Sequence, residues 1–292
     1  MINNYDFETG IEKYINHIKV RNYSHSTVNN YQKVLKNFIK VLTTFNVKNN
    51  KNSFIEFFEE YLLNFQHKGL SSGYCYIIFT AVRNLFRYME INYLEDFEPL
   101  KRPKSIPKPL TDEQLFDLLH SVRYNPATDS PAYLERAMRD EAILYLFYAT
   151  GLRVSELCNI RLTDINFNEN LITVIGKGNK ERIVVFDKIT KKILVSYLNR
   201  RQTESDYLFP NPKTKNRLSV RGVEKIVKKY GESVGVKVTP HMLRHSFATH
   251  LRAKGMDIRY IQTLMGHESI ATTQVYTKVN LDNIRHEYNM LK

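Results

Sequence analysis

Ten residues near the middle of the chain, Leu100-Lys-Arg-Pro-Lys-Ser-Ile-Pro-Lys-Pro109, hold three prolines, four positive charges and no apolar periodicity. Each proline removes a backbone donor and pushes the residue before it out of the helical region. Neither a helix nor a central strand can run through such a stretch. One continuous core over all 292 residues is thereby excluded, and an extended linker between two domains is expected. We set the linker at 104–109, with one domain over 1–103 and another over 110–292. Each is long enough to bury a core without staples, and 42% hydrophobic residues argue against disorder.

Before the linker the pattern is helical throughout. Ile11, Tyr14, Ile15 and Ile18 follow the i, i+3, i+4, i+7 spacing of one helix face. A second helix is expected after Ser26, with Tyr31, Val34, Leu35, Phe38 and Leu42 inward. A third should open on the capping-box spacing of Ser53-Phe-Ile-Glu56 and stop before Gly69. A fourth runs from about Ser72, with Ile78, Val82, Leu85, Phe86 and Met89 inward. Four amphipathic helices make a small all-α domain.

After the linker the pattern is mixed. Helices are expected at 111–121 and 137–160, then two alternating, β-branched strands, Leu171-Ile-Thr-Val-Ile175 and Arg182-Ile-Val-Val-Phe186. Gly176-Lys-Gly-Asn-Lys180 joins them as a hairpin turn. Helices resume at 188–201 and 219–234. Thr239-Pro240 reads as N-cap and first helical position, Gly255 as a stop, Asp257 to Gly266 as a short helix, and Ser269 as the cap of another. The expected fold class is mainly α with a small β-sheet.

Cys75 and Cys158 are too few for a disulfide framework and lack zinc-site spacing, so both are expected in the core, in a reducing cytoplasm. The longest uncharged run, Gly69 to Val82, has 14 residues, short of a membrane span. A net charge of +13 points to an anionic partner. The charge divides as +1 over 1–100, +4 over 101–110 and +8 over 111–292.

Between Pro240 and Thr277 lie four of the nine histidines, with Arg244, Arg252 and Arg259, against only two acids, Asp257 and Glu268. His241, Arg244 and His245 sit at i, i+3, i+4 and share a helix face, opposite the apolar Leu243, Phe247 and Leu251. Three readings of that face compete. The plainest is a solvated basic helix, since H-x-x-R recurs by accident. A zinc helix is the second, but Met-Leu-Arg between His241 and His245 supplies no carboxylate base. The third is metal-free phosphoryl chemistry, with fixed cations in place of a metal.

Other residues favour the third. In Gly151-Leu-Arg-Val-Ser-Glu-Leu157, Glu156 lies at i+3 from Arg153 and can hold its guanidinium. Lys177 stands between two glycines where the backbone can approach a ligand, although Gly176-Lys-Gly178 fits neither a P-loop nor a dinucleotide fingerprint. His267 and Tyr276 follow nine residues apart. Singly, each has a bland reading: Lys177 as a turn residue, Tyr276 as one of 19 tyrosines.

Four strings together resemble the catalytic domain of the tyrosine recombinases, the integrase family that includes the Xer-type chromosome-dimer resolvases. They are Ala149-Thr-Gly-Leu-Arg-Val-Ser-Glu-Leu157, Gly176-Lys-Gly-Asn-Lys-Glu-Arg182, Thr239-Pro-His-Met-Leu-Arg-His-Ser-Phe-Ala-Thr-His250 and Gly266-His-Glu-Ser-Ile-Ala-Thr-Thr-Gln-Val-Tyr276. The front half, in Tyr23 to Tyr31 and Ala81 to Tyr88, resembles the family's helical core-binding (SAM-like) domain. Met265 stands where leucine is usual before the Gly-His pair, a near-isosteric exchange. The segment Val122 to Glu135 looks long for the family and is read as a surface loop.

The resemblance implies a site-specific recombinase that needs no cofactor or metal. Tyr276 is then the nucleophile that leaves a 3′-phosphotyrosine. Arg153, Arg244 and His267 cradle the phosphate, Lys177 protonates the departing 5′ oxygen, His241 assists proton transfer at the tyrosine, and Glu156 orients Arg153 from behind. His245 and His250 are read as structural. The implied partner is double-stranded DNA bound by a homo-oligomer, a tetramer, with or without a partner recombinase and without a membrane. The tail residues Leu281, Ile284, Tyr288 and Leu291 would either dock on a neighbouring protomer or fold back. Dimer resolution and mobile-element integration both fit. A topoisomerase with the same chemistry and a non-catalytic DNA-binding protein are the alternatives. DNA affinity is expected to fall steeply with salt as phosphate contacts release counterions; a log–log plot of affinity against salt without slope would exclude those contacts.

Overall fold

The structure, a computed structural model, describes residues 6–45, 47–48, 50–98, 100, 108–176, 180–266, 284, 287, 288 and 290. The chain forms two compact units, Met1–Ser105 and Ile106–Lys292.

In the first unit, α1 (Phe7–Val20), α2 (His25–Thr44), α3 (Lys51–His67) and α4 (Ser72–Tyr88) bury the apolar faces that their periodicity marks out. Asp6, Ser24, Asn50 and Ser71 cap the four helices, each side chain accepting from the backbone N–H three residues on. Two starts lie earlier than expected. Ser24, not Ser26, opens α2, and Asn50 opens α3, so Ser53 is the donor to a cap and not the cap itself. Phe38 is fully buried, with its ring 5.2–6.4 Å from those of Tyr61, Phe58, Phe57, Phe54 and Phe86. Cys75 is buried in the same core.

The second unit is built on α6 (Pro131–Thr150), which follows α5 (Asp112–Leu119). Helix α6 is apolar on most sides and therefore buried. Its one buried acid, Asp140, accepts from Arg139 at 2.7 Å and from the Tyr230 hydroxyl at 3.3 Å. The helix expected over 137–160 is in fact two. It begins at Pro131 with Ser130 as cap, which claims part of the supposed 122–135 loop, and it stops at Gly151 in the left-handed region at φ 60°. Helix α7 (Val154–Asn159) follows.

Strands β1 (Ile165–Asn166), β2 (Leu171–Ile175) and β3 (Glu181–Val185) form an antiparallel sheet in that order, with Ile172 opposite Val184 and Val174 opposite Arg182. The two-residue β1 is too short for an alternation signal and was not expected. Helices α8 (Lys188–Arg200), α9 (Val220–Ser233), α10 (Pro240–Ala253) and α11 (Ile258–Met265) complete the described elements of the unit. Thr239 and Asp257 cap the last two. Ser269 lies outside the described residues.

Three hydrogen bonds tie α10 to its surroundings. Leu110 N donates to Ser246 Oγ at 2.8 Å, and His250 Nε2 lies 2.9 Å from Leu110 O, with His250 Nδ1 3.2 Å from the Tyr148 hydroxyl. In the tail, Ile284 and Tyr288 are buried with Val185, Phe247 and Leu251 of their own unit, and the Tyr288 hydroxyl donates to Ala149 O at 2.5 Å. Leu281 and Leu291 lie outside the described residues. Among the described residues, no helix is long and apolar enough to cross a membrane.

Gly151 joins α6 to the site. A Cβ there would stand 2.3 Å from Phe247 Cδ1, in addition to the left-handed φ. Gly151→Ala is expected to cost about 2–5 kcal/mol, combining the left-handed penalty with overpacking. Urea unfolding of the full chain measures this, and an unchanged midpoint would contradict the packing.

Candidate active site

The loop after Gly151 puts Arg153 at the N-cap of α7 and Glu156 at its third helical position. The Glu156 carboxylate reaches back to accept from Arg153 N at 2.7 Å and from Arg153 Nη1 at 2.9 Å. A second guanidinium, from Arg182 on β3, donates to the same carboxylate with both Nη1 and Nη2 at 2.7 Å. One buried carboxyl group thus accepts four bonds, three of them from charged donors. Burial alone would raise its pKa. The Arg182 fork and then Arg153 outweigh that and hold it down at about 2.

Arg244 enters from α10. Contrary to the expectation of a solvent-facing guanidinium beside His241, its side chain is buried at 5% exposure. Nη1 donates to Gly151 O and Nη2 to Met265 O, each at 2.5 Å. Desolvation, followed by the neighbouring charges of Arg153 and Arg182, lowers its pKa to about 10, so it remains charged at neutral pH. His241 stays exposed in the first turn of α10 and His245 is half-buried, so the three-residue face is graded from solvent to core.

The end of α11 gathers the cations. Arg182 Nε donates to Leu264 O at 3.2 Å, Arg244 to Met265 O at 2.5 Å, and Arg153 Nη2 to Gly266 O at 3.1 Å. These are C-terminal carbonyls with no partner inside the helix, at the negative end of its dipole. Gly266 caps the helix at φ 61°, and a Cβ on it would lie 2.9 Å from Arg182 Cδ. Gly176, at the base of the hairpin, is similarly close: a Cβ there would meet Arg182 Nη1 at 3.3 Å and Glu156 Oε1 at 3.6 Å.

Among the sequence-predicted residues, the structure brings Arg153, Glu156 and Arg244 into one cluster and leaves His241 on the surface of α10. Lys177, His267 and Tyr276 lie outside the described residues; Gly176 and Gly266, which precede Lys177 and His267 in the chain, both border the cluster. Sequence reasoning missed Arg182 as a member. The one signal within β3 was a charged residue followed by the half-buried Ile183 and the buried Val184 and Val185. Arg153 keeps 35% of its side chain exposed, on a cleft of about 600 Å³ lined also by Arg161, Asp164, Gly176 and Tyr207. Among the described residues, no three His, Cys, Asp or Glu side chains gather as a metal site would require, and His241 and His245 have no acidic third member. Chemically, the arrangement presents the guanidinium of Arg153 at the cleft with the buried, charged Arg244 close behind it, a setting that suits an anion.

The profile of the phage integrase family matches residues 108–282. The chain is similar to the tyrosine recombinase XerA of Pyrococcus furiosus, 39% identical over 231 residues, covering 77% of this chain and 76% of that one. It is similar as well to the tyrosine recombinase XerC of Thermodesulfovibrio yellowstonii, 36% identical over 297 residues, covering 96% and 94%. Among solved structures, a lambda integrase dimer bound to a core site shares the fold at TM-score 0.68, with 15% identity over 92% of this chain and 98% of that one.

Glu156→Gln tests the electrostatics of the cluster. A depressed pKa means that the stability contributed by Glu156 is present above its ordinary value of 4.5 and is lost as pH falls toward about 2. The variant is expected to lose about 3–5 kcal/mol at neutral pH, because the buried Arg182 and the partly exposed Arg153 both lose their counter-ion. Its stability should also lose the acid-limb slope between those values. Urea titrations at a series of pH values measure both, and an unchanged slope would contradict the assignment.

Proposed function

The chain belongs to the phage integrase family and is a tyrosine recombinase, an enzyme that cuts and rejoins DNA at specific sites; we propose that Arg153, Lys177, His241, Arg244, His267 and Tyr276 carry its chemistry. The observation that carries this reading is the pair of guanidinium groups, Arg153 and Arg244, held on backbone carbonyls at one helix end. Carbonyl dipoles orient a guanidinium without cancelling its charge, and the one carboxylate on Arg153, that of Glu156, is shared with Arg182.

In the proposed reaction the Tyr276 oxygen attacks the scissile phosphorus and its proton passes toward His241. The bond from phosphorus to the 5′ oxygen breaks, Lys177 gives that oxygen a proton, and the 3′ end remains as a phosphotyrosine. Charge that grows on the non-bridging oxygens is met by Arg153, Arg244 and His267. A 5′ hydroxyl from another strand then reverses the steps. The ester link conserves the bond, so rejoining needs no nucleotide. Glu156 acts from behind by holding Arg153.

The protein binds double-stranded DNA. We assign 1–103 to core binding, 104–109 to the linker and 110–292 to catalysis, with a homo-oligomer, a tetramer, assembled on DNA in the cytoplasm. The burial of Ile284 and Tyr288 in their own unit supports a tail that folds back at these two residues. The similarity to enzymes named recombinases supports strand exchange over relaxation of a single duplex.

A nicked suicide duplex carrying the target site, incubated in EDTA, should trap covalent protein, and Tyr276→Phe should lose the adduct while retaining binding. Adduct formation by the Phe variant, or a strict need for a divalent metal, would overturn the mechanism.

A further inference from the structure

Arg182 has no part in the chemistry above, yet every donor nitrogen of its side chain ends on the protein. Nη1 and Nη2 each lie 2.7 Å from an oxygen of Glu156, and Nε lies 3.2 Å from Leu264 O. Its side chain is only 8% exposed, against 35% for Arg153, and unlike Arg244, whose Nη1 and Nη2 donate to uncharged carbonyls, it has its charge met by the Glu156 carboxylate. Two glycines make room for it, Gly176 beside its Nη1 and Gly266 beside its Cδ.

Charge gives this placement a meaning. Glu156 is well suited to fix Arg153, through the backbone N–H and Nη1 together. A pair of Arg153 and Glu156 alone is neutral, however, and attracts a phosphate weakly. Adding Arg182 makes the group two cations and one anion, with a net charge of +1. Because Arg182 takes both oxygens of Glu156 in a fork, it is the guanidinium most fully matched to the carboxylate. Arg153 shares one oxygen and directs Nη2 to an uncharged carbonyl, Gly266 O.

We infer that Arg182 is a positioning residue that neutralises Glu156, so that the carboxylate orients Arg153 without consuming the positive charge that Arg153 offers to the scissile phosphate. The inference rests on the active-site reading given above. It predicts a pattern that a purely structural role does not, because deleting the carboxylate charge as well should restore the +1.

Single-turnover cleavage of the suicide duplex at saturating protein is compared for the wild type, Arg182→Gln, the double variant Glu156→Gln/Arg182→Gln, and Arg182→Lys, with DNA affinity and melting temperature measured alongside. Arg182→Gln should slow cleavage by about 10- to 100-fold with little change in affinity, the usual scale for a residue that holds a ligating one. The double variant should cleave roughly tenfold faster than Arg182→Gln, since the side-chain amide introduced by Glu156→Gln can still accept from Arg153 while the net charge returns to +1. A double variant no faster than Arg182→Gln overturns the proposal. Should Arg182→Gln fail to fold, Arg182→Lys decides: retaining the charge, it should stay within about threefold of wild type, and a folded Lys variant slowed more than about thirtyfold overturns the proposal. A wild type that forms no adduct counts instead against the active-site reading.

Discussion

Three successive carbonyl groups at the end of α11, those of Leu264, Met265 and Gly266, each receive a different guanidinium. A helix end normally leaves such groups to water. Here they anchor Arg182 from β3, Arg244 from the neighbouring α10 and Arg153 from the N-cap of α7, so four elements are held at one point, two of them distant in sequence from α11. The anchors are dipoles and not anions, which matters for function. Carboxylates in their place would fix the arginines equally well and cancel them, whereas carbonyls hold them and leave the field positive.

Among the described residues, the only carboxylate inside the group is Glu156, and it is doubly countered. That arrangement explains how a buried acid keeps its charge far below the usual carboxylate range, and how Arg244 remains protonated despite desolvation and two like charges nearby. The glycines belong to the same design. Gly151 lends its carbonyl to Arg244 and turns the chain out of α6 in a conformation that side chains rarely adopt, while Gly266 ends α11 where a Cβ would strike Arg182.

Much of the fold was legible because its signals are local. The inward faces of α1 to α4, the two longer strands and the Thr239-Pro240 helix start each depend on a few neighbouring residues. The errors were local competitions. Ser24 and Asn50 won over later candidates as caps, and Ser130-Pro131 opened a helix inside what read as a loop. The site was legible only in part. The i, i+3 relation of Arg153 and Glu156 is written in the sequence, but the burial of Arg244 is not, because helical spacing gives an angle and not the fate of a long stem. Arg182 was invisible for a stronger reason. It acts across separations of 26 and 82 residues, and no pattern within β3 announces those partners.

The central claim is that Arg244, though buried and bound to two carbonyls, serves the phosphate and is more than a brace between α6 and α11. Replacing one non-bridging oxygen of the scissile phosphate by a methyl group removes the charge that the arginine is said to meet. On the ordinary phosphodiester, Arg244→Ala should slow cleavage by about 100-fold or more. On the methylphosphonate, the same substitution should cost far less, because little charge is left to stabilise. Equal penalties on the two substrates would contradict the account and leave Arg244 as a structural brace.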